Sequence, residues 1–237
     1  VYAVGDIHGQ SGALRAAHAL IAADGGGLVV HLGDLLDRGP DSRAVVEYLM
    51  HGQARGERWI VVKGNHDRFL SRFLSAPDWI DPGLSSGLHW LDHPQLGAEQ
   101  TLASYGVEVA GRPRADVHAD CLRAVPPAQA RWLESLPLWH LNPRGLFVHA
   151  GVCPGIDLQA QTEQDLLWIR RPFLDDRRDH GALVVHGHTP VDQPTHYGNH
   201  LNVDTGAGYG RPLVPVVLDD SGVWALSEAG RVPVARA

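Results

Sequence analysis

Aspartate, histidine and asparagine gather in five short clusters, each holding a glycine: GDIHG at Gly5–Gly9, GDLLDRGP at Gly33–Pro40, KGNHD at Lys63–Asp67, HAG at His149–Gly151 and GHT at Gly187–Thr189. These side chains are hard-to-intermediate oxygen and nitrogen donors, suited to Mn, Fe or Zn. Asp6 and His8 stand two apart, which in extended backbone puts both on one face. The glycines let the backbone turn sharply and approach a bound group closely. One Asp-x-His, or one histidine after a strand, is ordinary and more often a hydrogen-bonded core residue. Five such clusters, each just after an apolar run, point to a site assembled from several loops.

In this order the clusters closely resemble the phosphoprotein phosphatase family of calcineurin-like metallophosphoesterases. That pattern runs GDxHG, GDxxDRG, GNH followed by Glu or Asp, a histidine before a small residue, GHT, and a DTGA-like segment. All six are present, the last as Asn202–Ala207, and the resemblance spans Val1 to about Leu218 apart from a middle insert. It implies two divalent metal ions, Mn foremost with Fe or Zn as rivals. Asp6 and His8 are expected on the first metal, Asp34 bridging both, and Asn65, His149 and His188 on the second. A bridging carboxylate holds two cations about 3.5–4 Å apart, and water between them ionises near neutral pH. The hydroxide so formed is expected to attack phosphorus in line.

The same resemblance implies the phosphate-handling set. Arg38, and Arg170 in a Trp168–Arg170 segment similar to the tryptophan-x-arginine of lambda-type phosphatases, are the expected clamp on phosphoryl oxygens. Arg171 is the rival and reads as a surface arginine. His66 is implied as general acid and Asp37 as its orienting carboxylate, a pairing that keeps an imidazole protonated and aligned. Thr189 and Thr205 are candidates for hydrogen bonds to the ligands. His186 reads as a packing residue, and His18, His51, His89, His93, His118 and His180 as surface or structural.

The expected reaction is hydrolysis of phosphoserine or phosphothreonine in a protein or peptide; the alternative is a symmetrical dinucleoside tetraphosphate hydrolase. Symmetrical hydrolases resemble GDLVARGP where this chain has GDLLDRGP, and tend to carry GHW and DTGC where it has GHT and DTGA. The bacterial serine/threonine phosphatase branch shares WIR and an insert similar to Thr101–Val107 (TLASYGV). A nonenzymatic metal-binding domain is disfavoured because every expected ligand is present.

The elements that must position these clusters are legible around them. Short apolar runs precede the clusters at Val1–Val4, Leu28–Leu32, Trp59–Lys63, Leu146–Val148 and Leu183–Val185, and Leu201–Val203 precedes the DTGA segment. Such runs suit strands buried on both faces. Helical spacing predicts helices over Gln10–Ala23 and Asp41–Arg55, the second with cap chemistry at Pro40–Ser42. Alternation of the two types argues for βαβ units. About Pro77 to Leu141 reads as a helical insert, and Val214–Leu218 with Val223–Leu226 as a closing hairpin. With the resemblance, this predicts one α/β domain over residues 1–237: a four-layer αββα sandwich of two mixed β-sheets with the metals at one end.

Composition sets the outer limits. With 237 residues, 44% hydrophobic and 20% charged, the chain can bury a sizeable core. A net charge of −7 argues against nucleic-acid binding. Cys121 and Cys153 form no C-x-x-C pair and read as ordinary small residues. No apolar stretch approaches a membrane span and no secretory core is seen, so a cytoplasmic protein is expected. The chain opens directly in a strand-like run, which leaves room for a few residues upstream. Oligomeric state has no signal here.

Overall fold

A computed structural model describes all 237 residues, Val1–Ala237. The first half alternates β1 (Tyr2–Val4), α1 (Ser11–Ala23), β2 (Val29–His31), α2 (Ser42–Ala54), β3 (Trp59–Val61) and α3 (Asp67–Ser75). A helical stretch follows with α4 (Ala98–Ser104), α5 (Arg114–Ala124) and α6 (Pro127–Ser135). The second half runs β4 (Trp139–Asn142), β5 (Gly145–Val148), α7 (Glu163–Trp168), β6 (Val184–His186), β7 (Thr195–His196) and β8 (His200–Asn202). It closes with β9 (Val216–Asp219), β10 (Gly222–Ser227) and β11 (Gly230–Pro233).

These strands make two mixed sheets, in the orders β11-β10-β9-β1-β2-β3 and β4-β5-β6-β8-β7. β1, β2 and β3 are parallel because α1 and α2 carry the chain back between them. Side chains alternate across each strand. Ala3 and Val30 join Phe147, Val185 and Leu201 of the other sheet in an apolar layer between the sheets. Tyr2, Val4 and Val29 point the opposite way, beneath Leu14 of α1 and Val45 and Leu49 of α2. Both faces are covered, so the runs are apolar throughout instead of alternating. The fourth layer is thin: the outer face of the second sheet packs Leu146, Val148 and Val184 against α7 and Phe173.

Three boundaries differ from expectation. The insert ends sooner, because Trp139–Leu141 already belong to edge strand β4. Asp41 precedes α2 but makes no side-chain cap; its Oδ2 accepts from Ser11 Oγ at 2.8 Å instead. A third tail strand, β11, follows the predicted hairpin. It is exposed along its length and so carries no burial pattern to read.

The insert is anchored, not appended. Trp90, Leu102, Val117 and Leu133 share one apolar cluster with Leu14, Val45 and Phe69. A buried bidentate pair, Arg68 with Asp81 at 2.6 and 2.7 Å, fastens α3 to it.

Beneath α1, His31 Nδ1 donates to Ile60 O at 3.0 Å and its Nε2 meets His18 Nε2 at 2.9 Å. Burial pushes His31 from the usual imidazole value down to about 3, and His18 down to about 4. A histidine held neutral in the fold binds fewer protons than it does unfolded. Its stability contribution is therefore full above about pH 6.5 and is lost as pH falls toward the folded value. His31 alone should cost roughly 2 kcal/mol at pH 5. The urea midpoint should fall between pH 7 and pH 5, and less steeply in His31→Val; identical slopes would refute this.

Candidate metal centre

The five clusters lie just beyond the C-terminal ends of β1, β2, β3, β5 and β6. Their backbones are knitted together. Ile7 and His8 N–H donate to Asp34 O at 3.0 and 2.8 Å, and Gly39 N–H donates to His8 O at 3.0 Å. His66 N–H donates to Asp34 Oδ1 at 2.9 Å, and His188 N–H to Asp6 Oδ1 at 3.1 Å. A Cβ on Gly64 would lie 2.2 Å from Asp34 N, so only glycine permits that approach. Five non-glycine residues adopt left-handed φ: His8 (47°), Asp34 (49°), Asp37 (71°), Arg38 (65°) and His188 (64°). Each such conformation costs on the order of 1 kcal/mol or more and persists only where surroundings impose it. All five are residues singled out by their chemistry.

The side chains present lone pairs to one another. His149 Nδ1–H donates to Leu32 O at 2.8 Å, which leaves Nε2 a bare acceptor. That nitrogen faces three more acceptor atoms: Asn65 Oδ1 at 2.9 Å, His188 Nδ1 at 3.2 Å and Asp34 Oδ1 at 3.4 Å. His8 repeats the pattern, with Nδ1–H donating to Leu36 O at 2.7 Å and Nε2 lying 3.4 Å from Asp34 Oδ2. Burial lowers the pKa of His8, His149 and His188, so each is a neutral donor of electron pairs. Burial and neighbouring carboxylates also raise Asp6, and Asp204 to about 6. Acceptors facing one another beside buried carboxylates that burial and mutual repulsion hold above their usual pKa are the environment a divalent cation satisfies, so these residues fit the metals.

Two groups of ligand atoms form, both containing Asp34: Asp34 with His149 and His188, and Asp34 with His8 and His66. The second differs from the expected set. Asp6 is buried beside it, bonded to the His188 N–H, while His66 occupies the nearer place. The Arg38 guanidinium donates to both His8 Nε2 and His66 Nε2, the latter at 3.3 Å. A metal on His8 therefore requires this arginine to turn outward, toward the Tyr209 ring 4.7 Å from it.

Above the centre opens a cleft of about 550 Å3, lined among others by Asp34, Arg38, Asn65, His66, Arg170 and His188. His66 Nδ1 bonds Asp37 Oδ2 at 2.7 Å, and Asp37 is fully buried. Arg170 stands exposed at the cleft wall, whereas Arg171 pairs with Asp175 at 2.8 Å in solvent.

The family model for calcineurin-like phosphoesterases matches residues 1–217. The chain belongs to that family. Among relatives, it is 28% identical to bis(5'-nucleosyl)-tetraphosphatase PrpE [asymmetrical] of Geobacillus sp. (strain WCH70), over 89% of this chain and 86% of that one. A solved putative diadenosine tetraphosphatase superposes with a TM-score of 0.63 at 20% identity, covering 99% of this chain and 93% of that one. The cold-active protein-tyrosine phosphatase of a Shewanella species also gives 0.63, at 15% identity, covering 99% and 80%. Both likenesses are of fold.

Around the centre of this calcineurin-like phosphoesterase stand further residues to which the motifs assigned no role. Asp67 accepts from Leu35 N–H and Gly64 N–H, both at 2.8 Å, and so staples two ligand loops. Its place after Asn65 and His66 was the available signal. Trp90 and Thr101 both reach Asp37 from the insert, and His93 and Gln95 of the same insert line the cleft. Thr101 opens the TLASYGV segment, whereas no local pattern marks Trp90, His93 or Gln95. Thr205, expected near the ligands, turns away and donates to Pro212 O at 2.6 Å. Thr189 is tied in through its carbonyl, which accepts from Asn202 Nδ2 at 2.7 Å, and its hydroxyl bonds no ligand.

The placement of the two arginines gives a direct test. Arg170→Ala should lower turnover about 10²-fold, because a contact to phosphoryl oxygens strengthens as charge redistributes in the transition state. Metal content should hold, and Arg171→Ala should leave turnover unchanged. An effect of Arg171→Ala alone would reverse the assignment.

Proposed function

We propose that the protein hydrolyses phosphomonoesters with strongly basic leaving groups, phosphoserine and phosphothreonine in peptides or proteins foremost. The carrying observation is the His66–Asp37 pair. Its carboxylate is buried and fixes Nδ1, so that Nε2, once Arg38 has turned away from it, would be the group able to protonate a departing oxygen. An alkoxide needs that proton, whereas a nucleotide phosphate leaves readily without it. Two divalent cations, Mn foremost, bound by Asp34, His8, Asn65, His149 and His188 with Asp6 alongside, would supply an ionised water and neutralise phosphoryl oxygens. Arg170 and a turned-out Arg38 would orient the phosphoryl group from the open side. Asp37 acts only through His66, holding its ring plane and its proton.

The insert supports the same reading. Arg112 and Arg123 pair with Asp120, and Arg114 with Asp78 and Asp92. None of these, nor Arg131, lines the cleft, whose arginines are Arg38 and Arg170. A tetraphosphate chain would call for more cations than these along its length.

A second reading has its own support. The relative cited above is named an asymmetrical tetraphosphatase, whereas GDLLDRGP, GHT and DTGA set this chain apart only from the symmetrical kind. Tyr209, 61% exposed at the cleft rim over Arg38, offers an aromatic face to a base. A side-by-side assay of metal-loaded protein separates the readings. We expect higher kcat/KM for phosphoserine or phosphothreonine peptides than for diadenosine tetraphosphate. A clear preference for the dinucleotide would move the assignment to the second reading and leave the metal ligands as they stand.

A further inference from the structure

Asp37 receives more donors than its partnership with His66 requires, and they come from the insert. Thr101 Oγ1 donates to Asp37 Oδ1 at 2.7 Å and accepts the Asp37 N–H at 2.8 Å. Having spent its proton on Asp37, the Thr101 hydroxyl accepts from Ser42 Oγ at 2.9 Å. Trp90 Nε1–H donates at 3.1 Å to Asp37 Oδ2, the same oxygen that holds His66. Thr101 lies in α4 and Trp90 in the single 3-10 turn Trp90–Asp92 before it, so two separate elements grip the two oxygens. Gly97, just before α4, makes the approach possible: a Cβ there would lie 2.1 Å from Arg38 N.

We propose that Trp90 and Thr101 are positioning residues that set the plane of the Asp37 carboxylate, and through it the direction in which His66 Nε2 presents its proton. The proposal rests on the reading of His66 as the acid. A carboxylate gripped at one oxygen can rotate about its Cβ–Cγ bond; gripped at both, and with its own N–H tied to the same hydroxyl, it cannot. Asp37 also sits at a left-handed φ of 71°, a conformation that persists only because its surroundings impose it, so its backbone is held in place along with its carboxylate. The insert thereby serves the proton transfer as well as walling the cleft.

The experiment compares metal-loaded wild type, Thr101→Val, Thr101→Ser, Trp90→Phe and His66→Asn on a phosphoserine peptide and on p-nitrophenyl phosphate. Thr101→Val and Trp90→Phe should each lose on the order of 10-fold on the peptide, where proton donation matters, and little on the activated ester. Thr101→Ser restores the hydroxyl and should recover the peptide rate. In metal-free protein, the proton NMR resonance of His66 Nδ1–H, assigned by its loss in His66→Asn, should shift or broaden in Thr101→Val and persist in Thr101→Ser. Equal losses on both substrates in Thr101→Val, or no loss on either, would overturn the proposal while a selective loss in His66→Asn leaves the acid intact. Equal losses in His66→Asn would overturn the acid reading and the proposal with it. Should Trp90→Phe fail to fold, the near-isosteric valine and serine variants decide the matter by themselves.

Discussion

Asp34→Asn should abolish most hydrolysis, by about 10³-fold or more, while leaving the protein folded. Asparagine has nearly the shape of aspartate, and Oδ1 can still accept from His66 N–H as the carboxylate does now at 2.9 Å. What is lost is charge at the one side chain common to both groups of ligand atoms. Its two oxygens lie 3.4 Å from His149 Nε2 and 3.4 Å from His8 Nε2, each an unprotonated ring nitrogen, the second now accepting from Arg38. Replacing that anion by a neutral amide lowers affinity at both positions together, and 10³-fold corresponds to about 4 kcal/mol in the barrier. Metal analysis should show less than the two-ion complement of the wild type, and chelation of the wild type should reproduce the loss, with Mn restoring activity. Full activity in rigorously metal-free protein would sink the metal reading entirely.

His66→Asn should slow two substrates to different degrees. A phosphoserine peptide should slow by about 10²-fold or more, and p-nitrophenyl phosphate far less, because general acid catalysis is worth most when the leaving oxygen is strongly basic. Asparagine keeps the backbone N–H that bonds Asp34 and does not provide an acid. His66 also lies in the Asp34–His8 group, so its alternative role is metal ligation. Ligation predicts equal losses on both substrates together with reduced metal content. The ratio of the two losses, measured beside metal content, therefore discriminates between proton donor and ligand.

How much of this was legible beforehand follows from where each feature is written. The sequence by itself determined the strand-ending clusters, their order and the chemistry of their donors, since each is carried by adjacent residues: Asp6 with His8, Asn65 with His66, His188 before Thr189. The core strands and helices α1 and α2 were equally local, because the strands are unbroken apolar runs and each helix repeats its buried face at a fixed period. Tertiary structure decided the rest. Trp90 and Thr101 reach Asp37 across 53 and 64 residues, a pairing no spacing rule encodes. The left-handed φ of His8, Asp34, Asp37, Arg38 and His188 is imposed by interlocked loops, against the preference of those residue types. The histidine tautomers depend on carbonyls at Leu32 and Leu36 that only the packed strand ends bring within reach. The pairing of the insert arginines with local acids, away from the cleft, was open in the sequence because charge order along a chain does not say which helix face those charges share.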